Sequence, residues 1–119
     1  MDKVELEKRT KLFALDVVRF VNSLPNNNAG YILGKQLLRS GTSIGANYRE
    51  ANRAESKADF IHKINIVEKE AAETQYWLDL ILESETGNKE AALDLQKETN
   101  ELLAIFTSIG KTSKARYRK

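Results

Sequence analysis

The 119-residue sequence contains no cysteine, a single proline (Pro25) and a single histidine (His62). Without cysteine the chain has neither a disulfide framework nor a thiol nucleophile. No apolar run approaches the roughly 20 residues that a membrane-spanning helix requires, and the first residues lack the apolar core of a secretory signal. We therefore expect a cytoplasmic protein with no membrane partner.

The residues that catalysis and metal binding require are also scarce. A di-iron helical bundle repeats the Glu-x-x-His motif on two helices, which one histidine does not allow. The chain contains no glycine-rich phosphate-binding loop of standard spacing. Glu68, Glu70 and Glu73 lie close together in the sequence, but a solvated helix face explains such carboxylates. We expect no catalytic residues, no metal site and no cofactor.

Apolar residues recur at spacings of three and four, which is the period of amphipathic helices. This period predicts four helices: residues 2–24, residues 29–53, a third that begins after Ser56, and residues 88–109. Short connections favour antiparallel neighbours. The sequence therefore predicts an all-α, antiparallel up-and-down four-helix bundle over residues 1–110. Gly110 is expected to end the last helix, leaving residues 111–119 as a mobile basic tail.

The second predicted helix contains the segment Ser-Gly-Thr-Ser-Ile-Gly at residues 40–45. These residues are poor helix formers, because glycine costs about 1 kcal/mol relative to alanine. Either the helix breaks here, or the small residues let a neighbouring helix approach closely. Leu37 and Ile44 keep the apolar phase across the segment, which favours a continuous helix.

Basic residues cluster in two places although the net charge is only +2. On the second helix, four cations share an arc of about 80° opposite the apolar face, and we call them the α2 stripe: Lys35, Arg39, Arg49 and Arg53. The C-terminal segment adds Lys114, Arg116 and Arg118. Both clusters predict contacts with nucleic-acid phosphates. The alternative for the stripe is an ordinary solvated face.

A surplus of apolar residues predicts self-association. Ile66, Trp77 and Leu80 lie on one flank of the third helix, outside its core seam. Val4, Leu15 and Val18 fall outside the main apolar face of the first helix. Exposed apolar surface of this kind marks an interface between subunits. The alternative is a wide stripe that faces the core.

Three segments carry a resemblance to a known family: residues 37–51, residues 56–60 and residues 73–78. Their order and composition resemble the bacterial four-helix-bundle family that is also called the 23S ribosomal RNA intervening-sequence proteins. The resemblance implies an up-and-down bundle that assembles as a ring-shaped homopentamer. It also implies a relationship to accessory proteins of diversity-generating retroelements, in which a basic pentamer engages nucleic acid and a reverse transcriptase.

Within these segments, Ser43, Asn47, Glu50 and Glu73 are predicted to form buried polar contacts between the second and third helices. The leading functional hypothesis is a homo-oligomeric bundle that contacts RNA or DNA phosphates without reading sequence. The alternative is a scaffold that recruits another protein and has no physiological affinity for nucleic acid.

Overall fold

The computed structural model describes residues 1–118 and confirms a four-helix bundle. The helices are α1 (Lys3–Asn22), α2 (Asn28–Ala51), α3 (Lys57–Glu83) and α4 (Lys89–Arg118). Each helix packs against the next one in sequence, and α1 meets α4 over a smaller contact that closes the bundle. The molecule measures 51 × 22 × 21 Å. No strand occurs within the described residues.

Polar side chains fix the starts of the helices. The Asp2 carboxylate accepts a hydrogen bond from the Glu5 amide at 2.8 Å, and the Asn27 side chain accepts one from Gly30 at the same distance. The Ser56 hydroxyl accepts a hydrogen bond from the Asp59 amide at 3.0 Å. Each bond satisfies a backbone donor that has no partner inside the helix. The predicted starts of α1 and α3 are therefore confirmed.

Residues at the predicted spacings of three and four form the core, and we call those on α3 the seam. Six residues of α3 are fully or almost fully buried at alternating spacings of three and four: Ile64, Val67, Ala71, Thr74, Leu78 and Ile81. On α4, Leu95, Leu102 and Phe106 are buried on the facing side. The ring of Tyr48 packs edge-on against Phe106, with centroids 5.1 Å apart. The core thus joins all the helices through one continuous apolar layer.

Helix α2 continues without a break through residues 40–45, as the apolar phase predicted. Its two glycines, Gly41 and Gly45, face α1. A methyl group at Gly41 would lie 3.0 Å from Cγ2 of Val17, and one at Gly45 would lie 3.2 Å from the Thr10 hydroxyl. The glycines therefore let α1 and α2 approach more closely than larger side chains would allow.

The prediction that the last helix ends at Gly110 was wrong, because α4 runs on to Arg118. Gly110 is buried against α3, where a methyl group would meet the Glu68 carboxylate and would lie 3.6 Å from Cγ2 of Ile64. The glycine thus serves a close helix contact rather than a helix end. Residues 111–118 continue the helix, and Ser113 and Arg116 line a cleft together with Phe60 in the first turns of α3. Residue 119 lies outside the described residues.

Candidate nucleic-acid interface

Acidic residues of the same chain hold two cations of the α2 stripe. The Arg39 guanidinium lies 3.3 Å from the Glu70 carboxylate and also pairs with Glu73, both on α3. Arg49 Nε lies 3.6 Å from a carboxylate oxygen of Glu7 on α1. These ion pairs are partly exposed and therefore weak. They nevertheless reduce the positive potential that the stripe presents to a phosphate.

The other two cations of the α2 stripe are exposed. Lys35 and Arg53 form no ion pair with any of residues 1–118. Lys35 lies on α2, whereas Arg53 follows the end of the helix at Ala51, so the prediction that α2 extends to residue 53 was wrong. The structure therefore keeps three cations of the predicted stripe on α2 and leaves unpaired charge only at Lys35 and Arg53.

The C-terminal cations lie on the last two turns of α4. Arg116 and Arg118 are exposed and Lys114 is half-buried, and the segment 111–118 contains no acidic residue. At 100° per residue, Lys111, Lys114 and Arg118 share an arc of about 60°, whereas Arg116 points to the other side of the helix. The end of α4 therefore presents two separate cationic faces.

The up-and-down topology gathers these cations with others at one end of the bundle. The start of α1, the end of α2, the start of α3 and the end of α4 all lie there. We call this surface the basic end and define it by six residues: Lys3, Lys57, Lys111, Lys114, Arg116 and Arg118. Arg53 follows α2 at the same end. Glu55 lines a shallow cleft beside Lys3 and Lys57, so the surface is not purely basic.

A second cleft at the basic end lies between the first turn of α3 and the last turns of α4. It encloses about 240 Å³, and five residues line it: Lys57, Phe60, Ile61, Ser113 and Arg116. The sequence did not predict this group of residues. The only signal for it in the sequence was that residues 111–118 could continue the last helix. Interpreting Gly110 as a helix end excluded that possibility.

The flank predicted as a subunit interface is only half exposed. Ile66, Trp77 and Leu80 are each partly buried, and the Trp77 ring packs against the core and edge-on against Tyr76 at 5.1 Å. Seven of the eleven most exposed large apolar residues belong instead to α1 and α2: Val4, Leu12, Leu15, Val18, Tyr31, Ile32 and Leu38. The larger free apolar surface is therefore on the first two helices.

The predicted buried polar contacts between α2 and α3 differ from those observed. The Ser43 hydroxyl donates to the Arg39 carbonyl at 2.6 Å, and the Asn47 amide donates to the Ser43 carbonyl at 2.8 Å, so both stay within α2. Glu50 is exposed and lies 3.9 Å from Lys63 of α3. Glu73 does bridge the two helices, through Arg39, but at the surface.

A bidentate ion pair joins α1 to α4. The Arg9 guanidinium donates to both carboxylate oxygens of Glu98, at 2.6 and 2.7 Å. This hydrogen-bonded carboxylate raises the pKa of Arg9 above its usual value. We call this pair the α1–α4 clamp. No group of residues suited to a metal lies beside it or elsewhere in the described part of the chain.

The comparisons with known proteins agree with this architecture. The family described as 23S rRNA-intervening sequence protein matches residues 2–108. The chain belongs to this family. A crystal structure of a protein with unknown function from the S23 ribosomal protein family of Bacteroides thetaiotaomicron VPI-5482 is 42% identical. The similarity covers 88% of this chain and 97% of that one, with a TM-score of 0.82.

No curated protein matches the chain. The descriptions of the family and of the related structure name no enzymatic activity. No helix within residues 1–118 is long and apolar enough to cross a membrane. The match ends at residue 108, so the last three turns of α4, with Lys111, Lys114, Arg116 and Arg118, lie beyond the part that resembles the 23S rRNA-intervening sequence proteins.

Proposed function

We propose that this chain is a non-catalytic, homo-oligomeric bundle that binds the phosphates of RNA or DNA through its basic end. One observation carries the proposal: residues 111–118 hold four cations and no acidic residue on a helix that is packed beside α3. A packed helix holds its cations at fixed spacing, so less entropy is lost on binding than with a mobile tail. Such contacts position a backbone without reading its sequence.

The α2 stripe plays a smaller part in this proposal. Lys35 and Arg53 add free charge, whereas Arg39 and Arg49 must first leave their carboxylate partners. The proposal also requires that the chain share the cytoplasm with its nucleic acid, as the sequence predicts. The name of the family refers to an RNA, which is consistent with this partner but does not identify it.

The salt dependence of binding tests the proposal. Affinity for a generic RNA should fall linearly on a log-log plot against salt, with a slope of about −0.9 per phosphate contact on duplex and −0.7 on single strands. The triple variant Lys111→Gln, Lys114→Gln, Arg118→Gln should flatten that slope by about 2 to 3 units. Glutamine is nearly as good a helix former as lysine or arginine, so the helix should survive.

A matched control removes the same charge elsewhere. The variant Lys69→Gln, Lys89→Gln, Lys97→Gln also loses three exposed cations, none of which forms an ion pair within residues 1–118. It should retain the slope of the unchanged protein. Equal slopes for both variants would mean that net charge alone, and not the basic end, determines binding.

Self-association forms the second part of the proposal. The flank of Ile66, Trp77 and Leu80 supplies one apolar surface, and the resemblance implies five subunits. Light scattering should give a multiple of 13.5 kDa. Leu80→Glu should lower that mass, whereas Leu93→Glu on exposed α4 surface should not. A monomer at micromolar concentration would contradict self-association. If Val18→Glu lowers the mass and Leu80→Glu does not, the interface lies on α1 instead.

The exposed apolar residues of α1 and α2 favour one alternative function, a scaffold that recruits another protein. The salt experiment separates the two functions, because a scaffold should give a slope near zero. Oligomer mass and RNA affinity must be measured on the same variants. If the basic-end variant loses both, the cations hold the subunits together and the loss of binding is secondary.

A further inference from the structure

The cleft between the start of α3 and the end of α4 combines three kinds of lining. Phe60 and Ile61 of α3 are half-buried and supply its apolar part. Lys57 and Arg116 are exposed cations that come from the two different helices, and Ser113 adds a hydroxyl. No acidic residue lines the cleft. A ligand that fits must therefore have a flat or apolar part and an anionic part close to it.

The size of the cleft limits the ligand further. Pockets for drug-sized molecules enclose roughly 300–1,000 Å³, and this cleft encloses about 240 Å³. A single nucleobase fits that description better than a larger molecule. Aromatic side chains in single-strand-binding proteins stack on bases irrespective of sequence, and the planar guanidinium of arginine donates two parallel hydrogen bonds to a phosphate.

We propose that this cleft holds one nucleotide of a single-stranded nucleic acid, with its base against Phe60 and its phosphate between Lys57 and Arg116. The inference rests on the proposed function and deepens it, because it assigns a binding site and a preference for single-stranded nucleic acid. A base that is paired and stacked in a duplex is not available to Phe60. Single strands should therefore bind more tightly than duplexes of equal charge at matched salt.

The site also divides the cations of the basic end into two roles. Lys57 and Arg116 line the cleft, whereas Lys111, Lys114 and Arg118 lie on a different face of α4. We expect these three cations to contact only the sugar-phosphate backbone of the nucleic acid. Loss of the second group should weaken every nucleic acid alike. Loss of the stacking surface at Phe60 should weaken only those that carry bases.

The test compares a single-stranded deoxythymidylate decamer with an abasic deoxyribose-phosphate oligomer of the same length. Base stacking on an aromatic side chain contributes about 1–3 kcal/mol, so Phe60→Leu should raise the Kd of the decamer at least about fivefold. The Kd of the abasic oligomer should not change. Leucine keeps most of the apolar volume, and the thermal midpoint of the variant shows whether it folds. Tyr31→Leu, at an exposed aromatic residue outside the cleft, is the matched control.

Two further measurements keep the inference testable if Phe60→Leu is unstable. Arg116→Gln should weaken binding of the decamer more than Lys97→Gln does, because only Arg116 lines the cleft. The two variants are matched, since each removes one exposed cation from α4. A decamer that contains 4-thiothymidine should crosslink, on irradiation, to the tryptic peptide that spans residues 58–63. Crosslinks found only in other peptides would overturn the site.

The possible failures are distinguishable. If neither oligomer binds with a dependence on salt, both the proposed function and the cleft assignment fail. If both oligomers bind and Phe60→Leu leaves the ratio of their Kd values unchanged, the cleft assignment fails while backbone binding stands.

Discussion

The hydroxyl groups of Ser40 and Thr74 lie 3.0 Å apart and share a hydrogen bond in the fully buried contact between α2 and α3. Thr74 has a second partner, the Glu70 carbonyl at 2.8 Å, whereas Ser40 has only the Leu37 carbonyl at 3.4 Å. The pair is therefore asymmetric: Ser40 depends on Thr74 more than Thr74 depends on Ser40.

This asymmetry makes a double-mutant cycle informative. Ser40→Ala should cost about 1 kcal/mol of unfolding free energy, because Thr74 keeps its carbonyl partner. Thr74→Val should cost about 1–3 kcal/mol, because it leaves the Ser40 hydroxyl nearly unpaired in the core. The double variant should cost no more than Thr74→Val alone, as measured by urea denaturation. Thr99→Val, at an equally buried threonine that bonds only to the Leu95 carbonyl at 2.7 Å, is the control and should cost least.

Overpacking tests the register of α3. Ala71 is fully buried in the seam and its neighbour Ala72 is exposed. Ala71→Leu should lower the unfolding free energy by about 1–3 kcal/mol, because the added side chain has no space. Ala72→Leu should change it by less than about 0.5 kcal/mol. Equal denaturation midpoints for the two variants would contradict the register.

The α1–α4 clamp should depend on the shape of arginine and not only on its charge. Lysine cannot donate two parallel hydrogen bonds to Glu98. Arg9→Lys should therefore cost about 1 kcal/mol by denaturant unfolding, since the bidentate geometry is what makes such a pair contribute. Arg19 pairs with Asp16 at a highly exposed site, and Arg19→Lys should have almost no effect. If the two substitutions cost the same, the clamp does not stabilise the bundle.

The buried side chain of Tyr48 should make stability fall in alkaline solution. Burial raises its pKa, the Asn52 side chain opposes this shift, and the Glu7 carboxylate adds to it. A tyrosine in the unfolded chain ionises near pH 10, so its contribution is fully present below that pH and is lost as the pH rises towards the folded pKa. The difference in unfolding free energy between the unchanged protein and Tyr48→Phe should shrink above about pH 10. Tyr31→Phe, at an exposed tyrosine, should give a difference that does not vary with pH.

The fold was predictable because local signals agreed with one another. The caps at Asp2 and Ser56 follow from the chemistry of single residues, and the spacing of apolar residues along α3 follows from the helical period. Such signals need no knowledge of the neighbouring helices. They accordingly predicted the four elements and their antiparallel order.

The errors arose where one residue type has two physical uses. Gly110 was interpreted as a helix end, but it lies in a close contact with Glu68 and Ile64 that exists only once α3 is in place. The polar pair between α2 and α3 was assigned to Ser43 and its neighbours, although the small side chain that faces Thr74 is Ser40. The helical period gives the direction of a side chain around the helix only to within tens of degrees. That precision does not decide whether Ser40 or Ser43 contacts α3. The cleft at Phe60 was missed for the same reason as the end of α4.

The order of helix contacts has a consequence for the folding rate. Three of the four helix interfaces join elements that follow one another in sequence, and only the smaller interface of α1 with α4 brings distant parts of the chain together. Chains dominated by such local contacts fold in microseconds to milliseconds. We expect the α1–α4 clamp to form last, because it requires the two ends of the chain to meet. Arg9→Lys should therefore accelerate unfolding and leave the refolding rate almost unchanged.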